Sequence, residues 1–189
     1  AAIVGYSLGA KRGLILAAEH PERVEGAVFI GPSYPGGGKA LDERARFLWE
    51  DELETDEGWA KYNKYYWLRD YPGFVRFFFS RVFCEPHSTK QIEDCVGWGL
   101  ETPAEALVAV QHGRTLEPEE ARSLAQRLRC PLLVVHGTAD QIAHHTRGAA
   151  LAEHGRGSLV LVEGGGHAPH ARDPVVFNRL LSEFLERLP

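Results

Sequence analysis

The sequence predicts a three-layer α/β protein: a partial parallel sheet flanked by helices and interrupted by a helical insertion. Three observations predict it. Short β-branched runs alternate with helical segments over residues 1–34 and 129–189, the pattern of parallel strands joined by crossover helices. Residues 35–128 carry no convincing strand and read as helices joined by turns at Pro72, Pro86, Pro103 and Pro118. The first apolar run ends in Gly5-Tyr6-Ser7-Leu8-Gly9, a pattern that needs a strand before it and a helix after it.

Each element has a local reason. "AAIV" and "GAVFIG" read as buried strands, with "KRGLILAAEHPERV" between them as a helix stopped near Pro21. "PLLVVHG" and "SLVLVEG" read as two further strands, separated by "HHTRGAALAEHG", a helix closed by Gly155. The final segment has Asp173 as N-cap, Pro174 at the first helical position, and Val176, Phe177, Leu180, Leu181, Phe184 and Leu188 on one apolar stripe. Within the insertion, Ser88 followed by Gln91 has the spacing of a capping box. This zone is aromatic: 14 of the 19 Phe, Trp and Tyr residues fall between positions 41 and 100.

Composition narrows the classes of function. Of 189 residues, 44% are hydrophobic and 25% charged, an ordinary globular mix sufficient for one core. The net charge of −5 and the lack of any extended Lys/Arg block argue against a nucleic-acid partner. No run approaches the roughly 18 apolar residues of a membrane span. Cys84, Cys95 and Cys130 are too few and too scattered for a disulfide framework, so buried thiols in the cytoplasm are expected. His136, His144, His145, His154 and His170 lack metal-ligand spacing, and no metal is expected. "PGGGK" at 35–39 lacks the spacing of a phosphate loop and reads as a hinge.

The chemistry centres on Ser7. A serine on a tight strand-to-helix turn adopts a strained backbone, and flanking glycines avoid collisions with neighbouring elements. The helix that follows brings its N-terminal dipole and free N–H groups to the same place, with the Leu8 N–H as donor to an oxyanion. A serine hydroxyl needs a base, and the base an orienting carboxylate. "PLLVVHGTAD" ends a strand and turns into Asp140, and "SLVLVEGGGHAPH" ends the next and delivers His167 on a glycine-rich loop. His170 competes with His167, and Asp173 with Asp140, though Asp173 already serves as a helix cap.

These motifs together resemble the carboxyl-terminal two thirds of the α/β-hydrolase family. GYSLG resembles its nucleophile elbow, HGTAD its acid-bearing turn, GGGHAPH its histidine loop, and the helical zone over 35–128 its cap. The resemblance implies a serine hydrolase acting on an ester or related acyl bond, with Ser7 as nucleophile, His167 as base and acid, and Asp140 as its partner. It implies a small-molecule acyl substrate and no cofactor. Carbon–carbon bond hydrolases, perhydrolases and acyltransferases of the family keep the same triad. "EPHSTKQIEDCVGWGLET" resembles a bacterial subgroup found beside signalling domains such as nucleotide cyclases, which implies a fused or neighbouring signalling partner. It also keeps open a ligand-sensing or regulatory domain with this fold.

Members of the family have about four strands before the elbow strand, and a loop there gives the second oxyanion donor. Only four residues precede the motif here, so the expectation is a fragment about one third short at its amino end and inactive alone. In the insertion, Tyr71, Phe74, Phe77 and Phe78 fall at helical spacing, as do Tyr62, Tyr65 and Tyr66. Core packing accounts for most of them. Tyr6, Phe74, Phe77 and Phe78 are candidates to line an apolar substrate pocket over Ser7.

Overall fold

The computed structural model describes residues 1–39, 49–113 and 115–188. Residues 40–48 and 114 of the expected insertion, Phe47 among them, lie outside the described residues, as does Pro189. Four strands, β1 (Ala2–Tyr6), β2 (Gly26–Ile30), β3 (Leu132–Gly137) and β4 (Ser158–Val162), form one parallel sheet in the order β1-β2-β3-β4. The register sets Ala2 beside Gly26, Ala27 beside Leu132, and Leu133 beside Ser158. All four strands are where the apolar runs place them. Both central strands are buried along their whole length, whereas β1 and β4 form the edges and expose Val4 and Leu161.

Side-chain alternation along the central strands divides the core in two. Ala27, Phe29, Leu132 and Val134 pack against Ala10, Leu14 and Ala17 of α1 (Leu8–Glu19), Leu124 of α6 (Pro118–Gln126) and Leu151 of α7 (Thr146–His154). Val28, Ile30, Leu133 and Val135 point to the other face and meet Phe177, Leu181 and Phe184 of α9 (Pro174–Leu185), which follows the single-turn α8 (Pro169–Arg172). Each such side chain, fully buried, contributes about 1.5–3 kcal/mol. The result is three layers. Asp173 caps α9 by accepting the Val176 N–H at 3.3 Å, with Pro174 in the first turn, as its sequence predicts.

Between β2 and β3 the described residues form helices and turns. A short 3₁₀ turn (Gly58–Lys61) precedes α2 (Lys64–Arg69), α3 (Tyr71–Val82), α4 (Thr89–Leu100) and α5 (Ala104–Gln111). Asn63 Oδ1 caps α2 by accepting from the Tyr65 and Tyr66 N–H groups, and Asp70 caps α3 through the Gly73 N–H. Trp67 and Phe74 pack tilted by 31° with centroids 4.2 Å apart, and Trp49 meets Trp67 edge-on at 4.6 Å, so an aromatic core holds this segment together. The expected insertion runs to residue 128, and α6 within it packs Ala121, Leu124 and Ala125 into the cluster shared with α1 and the sheet.

One local expectation is corrected and one is met. Ser88 does precede α4, but its side chain makes no cap: its hydroxyl donates backwards to the Glu85 carbonyl at 2.9 Å, because Ser88 is not in the extended conformation that aims a cap forward. Gly155 ends α7 as expected, and the residue after it, Arg156, is left-handed with φ 53°. Gly155 lies close to the sheet, and a Cβ there would fall 2.6 Å from Leu132 Cδ2, so that side chain would have to move.

Candidate active site

Ser7 sits between β1 and α1 with φ 51° and ψ −114°, a conformation that costs a non-glycine residue about 1–3 kcal/mol. Its N–H donates to the Ile30 carbonyl at 2.9 Å, which ties the turn to β2. The preceding glycine is sterically constrained: a Cβ on Gly5 would lie 2.8 Å from the Gly9 carbonyl oxygen and the Ala10 Cα. The following one is not. A Cβ on Gly9 would meet nothing within 4 Å, because α1 turns that position away from the sheet, so the expected collision is confined to Gly5.

Asp140 and His167 reach Ser7 from the ends of β3 and β4. His167 Nε2 lies 2.9 Å from Ser7 Oγ, and its Nδ1 lies 2.7 Å from Asp140 Oδ2. Asp140 Oδ1 accepts the N–H groups of Ile142 at 2.7 Å and Ala143 at 2.9 Å, an arrangement that the tight turn after β3 makes for itself. Both side chains are almost wholly shielded from solvent. Burial by itself would push the Asp140 carboxyl up, but hydrogen bonds from His136 and His167, the His167 charge and the Ala143 N–H outweigh it and hold the carboxyl well below the ordinary range. An ionised Asp140 accepts the His167 Nδ1–H, which leaves the Nε2 lone pair facing the Ser7 hydroxyl.

The rival residues stand apart from this chain. His170 packs its ring against Tyr6 at 4.7 Å and Phe177 at 5.7 Å, and burial followed by the His167 charge lowers its affinity for a proton. Asp173 is occupied as the cap of α9. Leu8 begins α1, so its N–H has no partner within the helix and sits beside Ser7.

The insertion fastens the loops that carry the acid and the histidine. The His167 N–H donates to the Val82 carbonyl at 3.0 Å, the Gly166 N–H to Glu85 Oε1 at 2.6 Å, and the Cys84 thiol to the Ala139 carbonyl at 3.3 Å. A cavity of about 250 Å³ opens at Ser7 and Leu8. Lys11 and Ser33 line its sheet side, and Tyr62, Phe78 and Gln111 its insertion side. The Gln111 amide donates to the Tyr62 hydroxyl at 3.1 Å, which ties together two residues of the insertion side.

Of the aromatic candidates, only Phe78 lines this cavity. Phe74 is 3% exposed and belongs to the aromatic core with Trp67, while Phe77 packs edge-on against Trp59 at 5.2 Å. Tyr6 packs against His167 with centroids 5.0 Å apart, behind the imidazole and outside the cavity wall. Burial and then the Asp140 charge hold its phenol far above the usual range, so it stays neutral. Sequence reasoning missed Lys11, whose signal is its place one helical turn after Ser7, and His136, whose signal is a polar ring at the end of an apolar strand. Nothing local points to Tyr62 or Gln111. Among the described residues no helix is long and apolar enough to cross a membrane, and no three metal-binding side chains cluster.

A family model described as "Alpha/beta hydrolase family" matches residues 1–180. No relative is found among the curated proteins. Among solved structures, the chain is similar to the esterase RhEst1 from Rhodococcus sp. ECU1013, with a TM-score of 0.75 at 22% identity, covering 100% of this chain and 66% of that one. It is similar to a bromoperoxidase from Bacillus anthracis, with a TM-score of 0.73 at 20% identity over 97% of this chain and 66% of that one. A 2-hydroxy-6-oxo-6-phenylhexa-2,4-dienoate hydrolase from Rhodococcus sp. strain RHA1 gives 0.68 at 19% identity, over 98% and 64%. The chain therefore spans just under two thirds of the length of these structures. At these identities the likeness is one of fold.

Proposed function

The chain belongs to the alpha/beta hydrolase family, and from that premise we propose that it is a serine hydrolase that cleaves an ester or related acyl bond. The observation that carries this reading is the unbroken hydrogen-bonded path from Ser7 Oγ through His167 to Asp140, at 2.9 and 2.7 Å. Ser7 Oγ attacks the substrate carbonyl carbon as His167 Nε2 takes the hydroxyl proton. The oxyanion that forms accepts the Leu8 N–H at the start of α1, where the helix dipole favours negative charge. Collapse expels the alcohol, which leaves with the proton from His167. Water then attacks the acyl-enzyme, gives its proton to the same nitrogen, and Ser7 recovers its hydrogen as the acid departs. Asp140 stays ionised throughout and holds the imidazole.

In this reading the helices between β2 and β3 act as a cap, and the acyl group occupies the cavity walled by Tyr62 and Phe78. The test is labelling of the whole encoded protein with a fluorophosphonate probe. Labelling that Ser7→Ala abolishes supports a serine nucleophile. Absence of labelling in a protein with an intact circular-dichroism spectrum overturns it in favour of a ligand-binding module.

A further inference from the structure

His136 is the last side chain of β3 before Gly137 and is 0% exposed. Its Nε2 lies 2.9 Å from Asp140 Oδ2 and 2.9 Å from the Ala143 carbonyl oxygen. Both partners are acceptors, so Nε2 carries a proton. On the other side of the ring, Nδ1 has no hydrogen-bond partner among the described residues and abuts Gly148 of α7, where a Cβ would fall 2.4 Å away. A proton on Nδ1 would be a buried donor with no acceptor. The surroundings therefore select the neutral Nε2–H tautomer.

The two oxygens of Asp140 are held differently. Oδ1 is anchored by two backbone N–H groups, whereas among the described residues Oδ2 is met only by His167 and His136. We propose that His136 is a positioning residue: a neutral Nε2–H donor that fixes Asp140 Oδ2 in line with the Nδ1–H of His167. This inference rests on the triad reading above. Without His136 the carboxylate keeps its two Oδ1 anchors, but the oxygen that orients His167 loses its second fixed point. Neutrality matters as well. A cation in this place would cancel the field of Asp140, whereas an N–H dipole steers the oxygen and leaves the negative charge available to an imidazolium at His167.

Nitrogen-15 NMR of the imidazoles in the unaltered whole protein reads the tautomer without any variant. His136 is expected as Nε2–H with Nδ1 unprotonated, and an Nδ1–H tautomer overturns the proposal. In His136→Leu the His167 Nδ1–H proton is expected to move upfield, because Oδ2 is no longer held in line with it and the hydrogen bond weakens. The limiting rate of fluorophosphonate labelling should fall roughly ten- to hundredfold, the worth of a hydrogen bond to a charged group, with the half-saturating probe concentration unchanged. His136→Gln places an amide N–H near the same point and should recover most of both effects. A Leu variant with the wild-type resonance and labelling rate refutes the idea. Wild-type protein that shows the expected tautomer and resonance but does not label refutes Ser7 as nucleophile and leaves the His136 bond standing.

Discussion

The two glycines around Ser7 should respond to the same substitution with opposite signs. A methyl group on Gly5 would lie 2.8 Å from the Ala10 Cα and the Gly9 oxygen and 2.9 Å from the Ala10 nitrogen, all of them backbone atoms of α1. None can rotate away, so the first turn of the helix must lift off β1 or the elbow must open. Overpacking of this kind costs about 1–3 kcal/mol. By the scaling for domains of about 150–250 residues, that lowers the melting temperature by roughly 2–12 °C. Displacing the first turn of α1 also moves Leu8 N–H and Ser7 Oγ relative to His167, so fluorophosphonate labelling should slow by at least tenfold. Gly9→Ala meets empty space, and Gly9 lies in a helix at a backbone conformation open to any residue. Replacing glycine in a helix by alanine gains about 0.4–1 kcal/mol, a rise of roughly 1–4 °C, with labelling kept. Thermal melts and labelling time courses on both variants decide the matter. Equal destabilisation by the two substitutions would refute the assignment of the steric constraint to Gly5 alone.

Two further outcomes are expected. Asp140 has its carboxyl held below the ordinary value of 3.8 by its hydrogen bonds, against the opposing effect of burial, so its contribution to stability is present above that value and is lost as the pH falls through it and below. Asp140→Asn leaves at least one buried donor facing an amide, which costs about 1–3 kcal/mol at pH 7. The fall in urea midpoint between pH 7 and pH 3 should then be shallower in the variant, and parallel curves would contradict the linkage. Phe74→Ala empties an aromatic core site and should cost about 3–5 kcal/mol in urea unfolding, whereas Phe78→Ala removes a cavity wall and should chiefly change which acyl chain lengths are hydrolysed. A reversed pattern would mean that the two rings have been assigned to the wrong surfaces.

Signals that live within a few residues could be read in advance. The four strands are continuous apolar runs with polar or glycine-rich ends, and such runs are buried on both faces wherever helices cover the sheet. Asp173 is an acceptor followed by proline and an apolar stripe, and that order suffices to start α9. Ser88 had the composition of a cap without its conformation, and conformation is what its neighbours, not its identity, impose. The aromatic run over Phe74, Phe77 and Phe78 shows why helical spacing alone misleads. Phe74 and Phe78, four residues apart on α3, share a face and pack with centroids 5.5 Å apart while Phe77 turns to Trp59, and only the surrounding elements determine that Phe74 becomes core and Phe78 cavity wall.

What the amino-acid sequence determined by itself was the set of elements and the chemistry at their ends: a serine after the first strand, an acid after the third and a histidine after the fourth, each tied to a local pattern of apolar run and turn. What the tertiary structure alone decided was convergence. Ser7 and His167 are 160 residues apart, and their 2.9 Å contact exists because parallel strands in one sheet bring their carboxyl ends to the same edge. The same stacking brought Val82 and Glu85 to the histidine loop, set Gly148 against His136, and left Gly9 in open space where Gly5 is pinned. Periodicity encodes which way a side chain points along its own element. The distance across which it meets another depends on packing that no single segment contains.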